Sequence, residues 1–285
     1  MVSQGELRAK HNREIRVSAP HLEDIFDAHC HFQLAQGEAS QRSARELIAR
    51  LGGVALMSTE PSNWEAVSAL AESSPRARCM FGVHPWFAHK YEPQGEWLER
   101  LRRAVLDTPQ SAIGEIGLDK RWRPPELGYV CYEQQKEVFI AQLNLASELS
   151  VPISVHCVGA QGDLQAILAT SPLLPPAIYL HAFGGARGTV EQLVRSKRYG
   201  ERLYFGFASC VNLRSSKWRE AISAVPERRL LVESDRSDAQ NSPIAQELTE
   251  MLTLFAEVKG WSGGALEATL RTAQNARDFY AHADR

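Results

Sequence analysis

Short apolar segments alternate with longer amphipathic segments along most of the chain. Eight of the short segments are rich in β-branched and aromatic residues and contain four to seven residues each. Continuous apolar runs of this length are typical of strands that are buried on both faces of a parallel sheet. We predict strands over residues 25–31, 53–58, 79–84, 112–118, 153–157, 178–181, 203–207 and 230–233.

The segments between these strands have the periodicity of amphipathic helices. Residues 131–149 show it best, because Phe139, Leu143 and Ala146 fall on one stripe while Glu133 falls on the polar side. We predict helices over residues 41–50, 62–73, 95–107, 131–149, 160–170, 187–197, 215–224 and 243–259, with a closing helix over 264–281.

Eight successive strand–helix units predict a single-domain α/β fold, the (β/α)₈ TIM barrel, rather than an open sheet. The length of 285 residues is ordinary for such a barrel. A GxGxxG motif does not follow the first strand, which argues against a dinucleotide-binding fold. Residues 1–20 are polar and are predicted to form an N-terminal extension, so the barrel is expected to occupy residues 21–285.

Charge and composition exclude some classes of function. The 32 basic and 34 acidic residues leave a net charge of −2, which argues against non-specific duplex binding but not against a local phosphate site. No apolar run approaches the ~20 residues of a membrane span, so we predict no membrane interaction. Five cysteines without a CxxC pair indicate a reduced compartment, and the first 16 residues contain no apolar segment, so we expect no secretory signal peptide. We therefore predict a cytoplasmic or nuclear location.

Candidate ligands for a metal stand at the ends of several predicted strands, where a TIM barrel carries its chemistry. In the first strand, His29 and His31 point to one face about 7 Å apart, whereas Cys30 points away and is expected to be buried. Glu115 lies in an apolar stretch between glycines. A buried carboxylate needs a cation or a hydrogen-bonded partner, and the glycines indicate close approach of ligand or backbone.

Three further residues end the fifth, sixth and eighth strands, namely His156, His181 and Asp235. Each of them alone is more often structural than functional, but separate structural roles do not account for six such residues at one barrel mouth. Four imidazoles and two carboxylates exceed the needs of one catalytic ion with an open position. We therefore predict two divalent metal ions bridged by Glu115, and the mixed N and O donors are compatible with Zn, Mg or Mn.

Six short motifs surround these residues in a fixed order. They are FDAHCH at 26–31, GVHPW at 82–86, AIGEIGLD at 112–119, PISVH at 152–156, LHAFGG at 180–185 and LVESD at 231–235. Thr272, Asn275 and Phe279 close the series. Together the motifs resemble the TatD family of metal-dependent hydrolases from about residue 25 to residue 280. The chain is similar to a divergent eukaryotic branch, some members of which are named for binding a subunit of the anaphase-promoting complex.

The resemblance implies a two-metal TIM barrel with DNase or phosphodiesterase activity, for which single-stranded DNA is the expected substrate. It implies one ion on His29, His31 and Asp235, a second ion on His156 and His181, and Glu115 as the bridge. It also implies that His84 is a substrate-side residue rather than a ligand. We expect Asp235 to act as the general base on an activated water, so that Asp235, Glu115 and His84 are the candidate catalytic residues.

Two stretches depart from the family pattern where substrate would be contacted. His156 is followed by Cys157-Val158-Gly159 where the family often has an arginine and an acid, and Asp235 is followed by Arg236-Ser237 instead of Ala-Pro-Tyr. Cys157 is expected to be buried and to face away from the site. Two alternatives therefore stay open: an amide or lactone hydrolase on the same barrel, and a barrel that chiefly binds a protein partner.

Candidate substrate-binding residues follow directly on Asp119, in the loop after the fourth strand. Lys120, Arg121 and Arg123 could contact phosphates and Trp122 could stack on a base, although a solvated surface loop is the slightly favoured explanation. Further cations just beyond predicted strand ends indicate a mouth more positive than the whole chain, namely Arg187, Arg214, Lys217 and Arg236.

Overall fold

The computed structural model describes residues 20–283, so the predicted extension lies outside the described residues except for Pro20. Eight parallel strands pair in sequence order into one sheet, which confirms the predicted TIM barrel. The strands are β1 (Phe26–Cys30), β2 (Gly53–Met57), β3 (Ala77–Phe81), β4 (Ser111–Asp119), β5 (Ile153–Val158), β6 (Ile178–Leu180), β7 (Leu203–Phe207) and β8 (Leu230–Val232).

Helices connect the strands as predicted, with one short addition. They are α1 (Gly37–Arg50), α2 (Trp64–Ala71), α3 (Glu96–Asp107), α4 (Tyr132–Leu149), α5 (Gln161–Thr170), α6 (Arg187–Val194), α7 (Ser209–Asn212), α8 (Trp218–Ala224), α9 (Ile244–Lys259) and α10 (Gly264–Tyr280). The addition is α7, whose four residues are too few to produce a periodic pattern. Within residues 20–283 we find no helix with the length and hydropathy that a bilayer span requires.

The barrel closes at the seam between its first and last strands, on the side where the candidate ligands lie. The amide of Asp235, just after β8, donates to the carbonyl of His29 in β1 at 3.0 Å. The amide of His31 donates in turn to the carbonyl of Arg236 at 2.8 Å. Two backbone hydrogen bonds therefore hold three of the predicted ligands in register with one another.

The buried residues of the strands and helices match the apolar pattern of the sequence. All nine residues of β4 are buried, as expected for a strand covered by helices on one side and by the barrel interior on the other. Phe139, Leu143 and Ala146 of α4 are fully buried, which confirms the predicted apolar stripe. The core therefore lies between the sheet and its surrounding helices and continues into the barrel.

The closing helix α10 ties the last strand to the first. The side-chain amide of Asn275 donates to the carbonyl of Leu230 at 2.9 Å, and the Tyr280 hydroxyl donates to the carbonyl of Ala28 at 2.8 Å. The ring of Phe279 packs edge-on against Tyr179 of β6. The final sequence motif therefore stabilises the barrel and contributes no side chain to its mouth.

Five strands, β1, β2, β3, β6 and β8, end one to three residues earlier than the sequence predicts, whereas β4 and β5 end one residue later. His31 directly follows β1 and His181 directly follows β6, whereas His84 lies three residues after the end of β3. Their amides leave the regular ladder to bond loop or strand carbonyls, as His84 does to Thr59 at 2.8 Å. This departure carries the imidazoles away from the sheet and over the barrel mouth.

Candidate metal centre

Glu115 occupies the middle of a cluster of imidazoles at the barrel mouth. Its carboxylate is almost fully buried in β4, and its two oxygens face different neighbours. Oε2 lies 3.3 Å from Nε2 of His29 and 3.1 Å from Nε2 of His31. Both histidines of the first strand therefore point to the same side, as their spacing predicts.

The other oxygen of Glu115 faces the later strands. Oε1 lies 2.9 Å from Nδ1 of His156, 2.7 Å from Nε2 of His181 and 3.1 Å from Nε2 of His84. Asp235 lies on the side of the first strand, with Oδ1 3.7 Å from Nε2 of His31. One carboxylate thus separates two sets of nitrogen donors.

The donor set fits divalent cations. Donors around a tetrahedral ion at about 2.1 Å lie about 3.4 Å apart, and the contacts among the six predicted ligands range from 2.7 to 3.8 Å. Nε2 of His29 and Nε2 of His31 also face each other at 3.2 Å. Two ring nitrogens that converge on one carboxylate oxygen have the arrangement expected of neighbouring ligands on one ion.

Hydrogen bonds on the far side of the rings fix which nitrogen carries the proton. Nδ1 of His31 lies 2.8 Å from the carbonyl oxygen of Met57, which can only accept, so Nε2 presents its lone pair to the cluster. Nε2 of His156 lies 3.4 Å from Oδ2 of Asp119, which leaves its Nδ1 free in the same way. Such partners orient and strengthen histidine ligands.

His84 has the opposite arrangement. The backbone amide of Trp86 donates to Nδ1 of His84 at 3.2 Å, so in the neutral ring the proton is on Nε2 and points toward Glu115. Burial lowers the pKa of His84 to about 4, which keeps the ring neutral. His84 is therefore built as a hydrogen-bond donor beside the cluster.

The two carboxylates differ in their electrostatics. Burial alone would raise the pKa of Glu115, but the attraction of the surrounding imidazoles, His181 foremost, and the hydrogen bond from His156 outweigh burial and hold that pKa well below its usual range. Burial raises the pKa of Asp235 to about 6, because its histidine neighbours compensate less. Glu115 is thus a fixed anion, whereas Asp235 can exchange a proton near neutral pH.

A cavity of about 520 Å³ opens above the cluster. His31, His84, Glu115, His156, His181 and Asp235 line its floor or walls. His29 is fully buried beneath them. Cys157 also lines the cavity and is only half-buried, so the expectation that it would be buried and face away was wrong.

The basic residues after β4 do not line this cavity. Lys120 forms an ion pair with Asp163 at 2.5 Å, while Arg121 and Arg123 are exposed. Trp122 stacks on Trp86 with ring centroids 4.2 Å apart. Trp86 itself lines the cavity and donates its indole N–H to Asp119 at 2.9 Å. This aromatic pair joins the loops after β3 and β4 and was not predicted, because neither residue follows a periodic pattern.

A cluster of imidazoles and carboxylates at the carboxyl ends of the strands of a TIM barrel is typical of metal-dependent hydrolases. The family model for TatD related DNase matches residues 26–281, and the chain belongs to this family. This match confirms the resemblance predicted from the sequence motifs.

Individual relatives cover nearly the whole chain. It is 28% identical to the Cut9-interacting protein scn1 of Schizosaccharomyces pombe over 85% of this chain and 94% of that protein. It is 32% identical to the 3'-5' ssDNA/RNA exonuclease TatD of Erwinia tasmaniensis over 84% and 91% of the two chains. The crystal structure of the TatD homologue YJJV of Escherichia coli superposes with a TM-score of 0.72 at 26% identity, covering 90% and 98%.

Proposed function

We propose that this protein is a divalent-metal-dependent phosphodiesterase that hydrolyses nucleic acid, with single-stranded DNA as its substrate. The observation that carries the proposal is the position of Glu115, whose two oxygens face separate sets of imidazoles beneath an open cavity. Paired ions are suited to phosphodiester cleavage because they can stabilise both the attacking and the leaving oxygen. The name of the Erwinia relative, an ssDNA/RNA exonuclease, supports this substrate class.

We infer two ions, and the division of donors around Glu115 supports this number. One would be held by His29, His31 and Asp235, and the other by His156 and His181, with Glu115 shared by both. Zn, Mg or Mn is compatible with these nitrogen and oxygen donors. When bound, the ions would supply Lewis acidity toward water and would neutralise charge on the phosphoryl oxygens.

The side chains themselves would orient water and substrate. Asp235 keeps 20% of its side chain exposed in the cavity, so it can accept a proton from a water there as general base. The Nε2–H of His84 points toward Glu115 at the cavity wall, and it would have to turn from this carboxylate to donate to a phosphate oxygen or to the leaving group. We retain Arg121 and Arg123, both exposed, as contacts for outer phosphates, and Lys120 would first have to leave Asp163.

Two further assignments concern a protein partner and the location. The name of the fission yeast relative records an interaction with Cut9, which favours a protein partner as a second role of this barrel. A cytoplasmic or nuclear location is proposed from the unpaired cysteines alone.

The decisive experiment compares Asp235→Asn with wild type. Cleavage of fluorescein-labelled single-stranded DNA is measured with added Zn²⁺, Mg²⁺ or Mn²⁺ and with chelator, after metal analysis of the purified protein. We expect Asp235→Asn to abolish cleavage while its urea denaturation midpoint stays near that of wild type. Asp238→Asn changes a half-buried acid three residues on that bonds only Gln240 and Asn241 and does not line the cavity, so it serves as the matched control and should retain activity. Full activity of Asp235→Asn would refute its role as the base.

A substrate panel separates the competing hydrolase functions. Single-stranded DNA, single-stranded RNA, duplex DNA, amides and lactones are offered under the same metal conditions. Selective turnover of amides or lactones would overturn the phosphodiesterase proposal in favour of the alternative hydrolase. Absence of any metal-dependent turnover, together with co-purification of a stable protein, would favour the partner-binding role.

A further inference from the structure

The cavity above the cluster is lined by very few permanent positive charges. Among the described residues that line it, Arg214 is the only lysine or arginine. It follows α7 on the connection from β7 to β8 and is exposed. The wall formed by Cys157 and Val158 offers no charge, and Glu115 and Asp235 contribute negative charge. An anionic substrate therefore meets one guanidinium at this mouth.

Three neighbouring cations at the strand ends are already paired with acids. Lys120 pairs with Asp163 at 2.5 Å, Arg187 with Glu191 at 2.9 Å, and Arg236 donates to Glu247 at 2.9 Å. Arg214, in contrast, makes no ion pair or side-chain hydrogen bond with any of residues 20–283. Its positive charge is therefore not compensated by an ion pair with any described residue, and Arg214 lines the cavity that substrate would enter. A side chain held by a partner would have to break that contact before it bound a phosphate, whereas Arg214 would not.

We propose that Arg214 is a substrate-binding residue that contacts a backbone phosphate next to the scissile one. A guanidinium offers a planar fork of N–H donors that matches two phosphate oxygens, which a lysine cannot do. This proposal rests on the proposed function, since it assigns a contact to the same nucleic-acid substrate. It also explains why a chain with a net charge of −2 needs no extended basic surface: the ion pair with phosphate forms inside a confined cavity.

Binding is measured separately from cleavage. Fluorescence anisotropy reports the Kd of metal-loaded protein for a fluorescein-labelled oligo-dT whose phosphorothioate linkages resist hydrolysis, over a series of salt concentrations. We expect Arg214→Ala to raise Kd about tenfold, the effect of losing about 1.4 kcal/mol. The slope of log K against log salt should fall by about 0.7, the value for one phosphate on a single strand. Arg214→Lys should restore the slope but only part of the affinity.

Lys217→Ala provides the matched control. Lys217 is exposed, lies three residues after Arg214 and does not line the cavity. Its removal should leave both Kd and the salt slope unchanged. If Arg214→Ala and Lys217→Ala behave alike, whether both bind as wild type or both bind equally weakly, the assignment to Arg214 is wrong. A wild-type protein that does not bind the oligonucleotide would also overturn it.

Steady-state cleavage of ordinary oligo-dT distinguishes this proposal from the proposed function. Arg214→Ala should raise KM about tenfold with little change in kcat, since the contact is made in both the ground state and the transition state. Wild-type cleavage with an unchanged KM in Arg214→Ala would overturn the Arg214 assignment and leave the function standing. Arg214-dependent binding without cleavage in any metal would overturn the function and leave the phosphate contact standing.

Discussion

Gly117 lies where β4 passes closest to the backbone that carries His156. A Cβ atom at this position would sit 2.0 Å from the carbonyl oxygen of His156, and the backbone φ is +149°. The clash is with main chain, so a side-chain rotation cannot relieve it. The positive φ costs about 1–2 kcal/mol and forced displacement of a packed strand about 1–3 kcal/mol. We therefore expect Gly117→Ala to lower the free energy of unfolding by about 4 kcal/mol.

Gly260 offers a control for the backbone conformation alone. It ends α9 with φ +67°, and an added Cβ there would meet no atom within 4 Å. Gly260→Ala should therefore lower the free energy of unfolding by only about 1 kcal/mol. Urea denaturation of both variants measures the difference. If Gly117→Ala is no less stable than Gly260→Ala, the close approach of β4 to β5 does not constrain position 117, and the reasoning fails.

The metal centre and the barrel seam offer three further tests. Zn²⁺ at a hundred times its Kd should raise the free energy of unfolding by about 2.7 kcal/mol over chelator-treated protein. At the same Zn²⁺ concentration, the free energy of unfolding of Glu115→Gln should rise far less. An equal rise in the variant would exclude Glu115 as a ligand. Asp119→Asn should weaken Zn²⁺ binding, measured by calorimetry, about tenfold or more, because the amide cannot orient His156 as a carboxylate does; unchanged affinity would contradict this. Tyr280→Phe should lower the free energy of unfolding by about 1 kcal/mol through loss of its buried bond to Ala28. An unaltered urea midpoint would mean that this bond contributes nothing.

The barrel and the candidate ligands could be predicted because both depend on local rules. A continuous run of apolar residues can be recognised as a buried strand from the sequence alone. Its last residues must lie at the same end of the barrel as those of the neighbouring strands. His29 and His31 share a face because strand side chains alternate. Glu115 was noticeable because a carboxylate within an apolar run needs a cationic or hydrogen-bonded partner.

The surroundings of the site depend on contacts between distant segments, which the sequence does not reveal. Lys120 has the position of a phosphate contact, but its partner Asp163 belongs to the next unit of the barrel. Trp122 stacks on Trp86, which precedes it by a whole strand and helix. Loop residues obey no periodicity, so nothing in the sequence alone distinguishes Arg214, which lines the cavity, from Lys217, which does not.

The backbone hydrogen bond that joins Asp235 to His29 also bears on when the metal site is completed during protein synthesis. Under the proposed assignment, the opening and closing strands contribute to a single ion, although they are separated by most of the polypeptide. A nascent chain would present an incomplete set of ligands for that ion until Asp235 had emerged from the ribosome. Capture of that cation would therefore have to wait until the eighth strand had been synthesised.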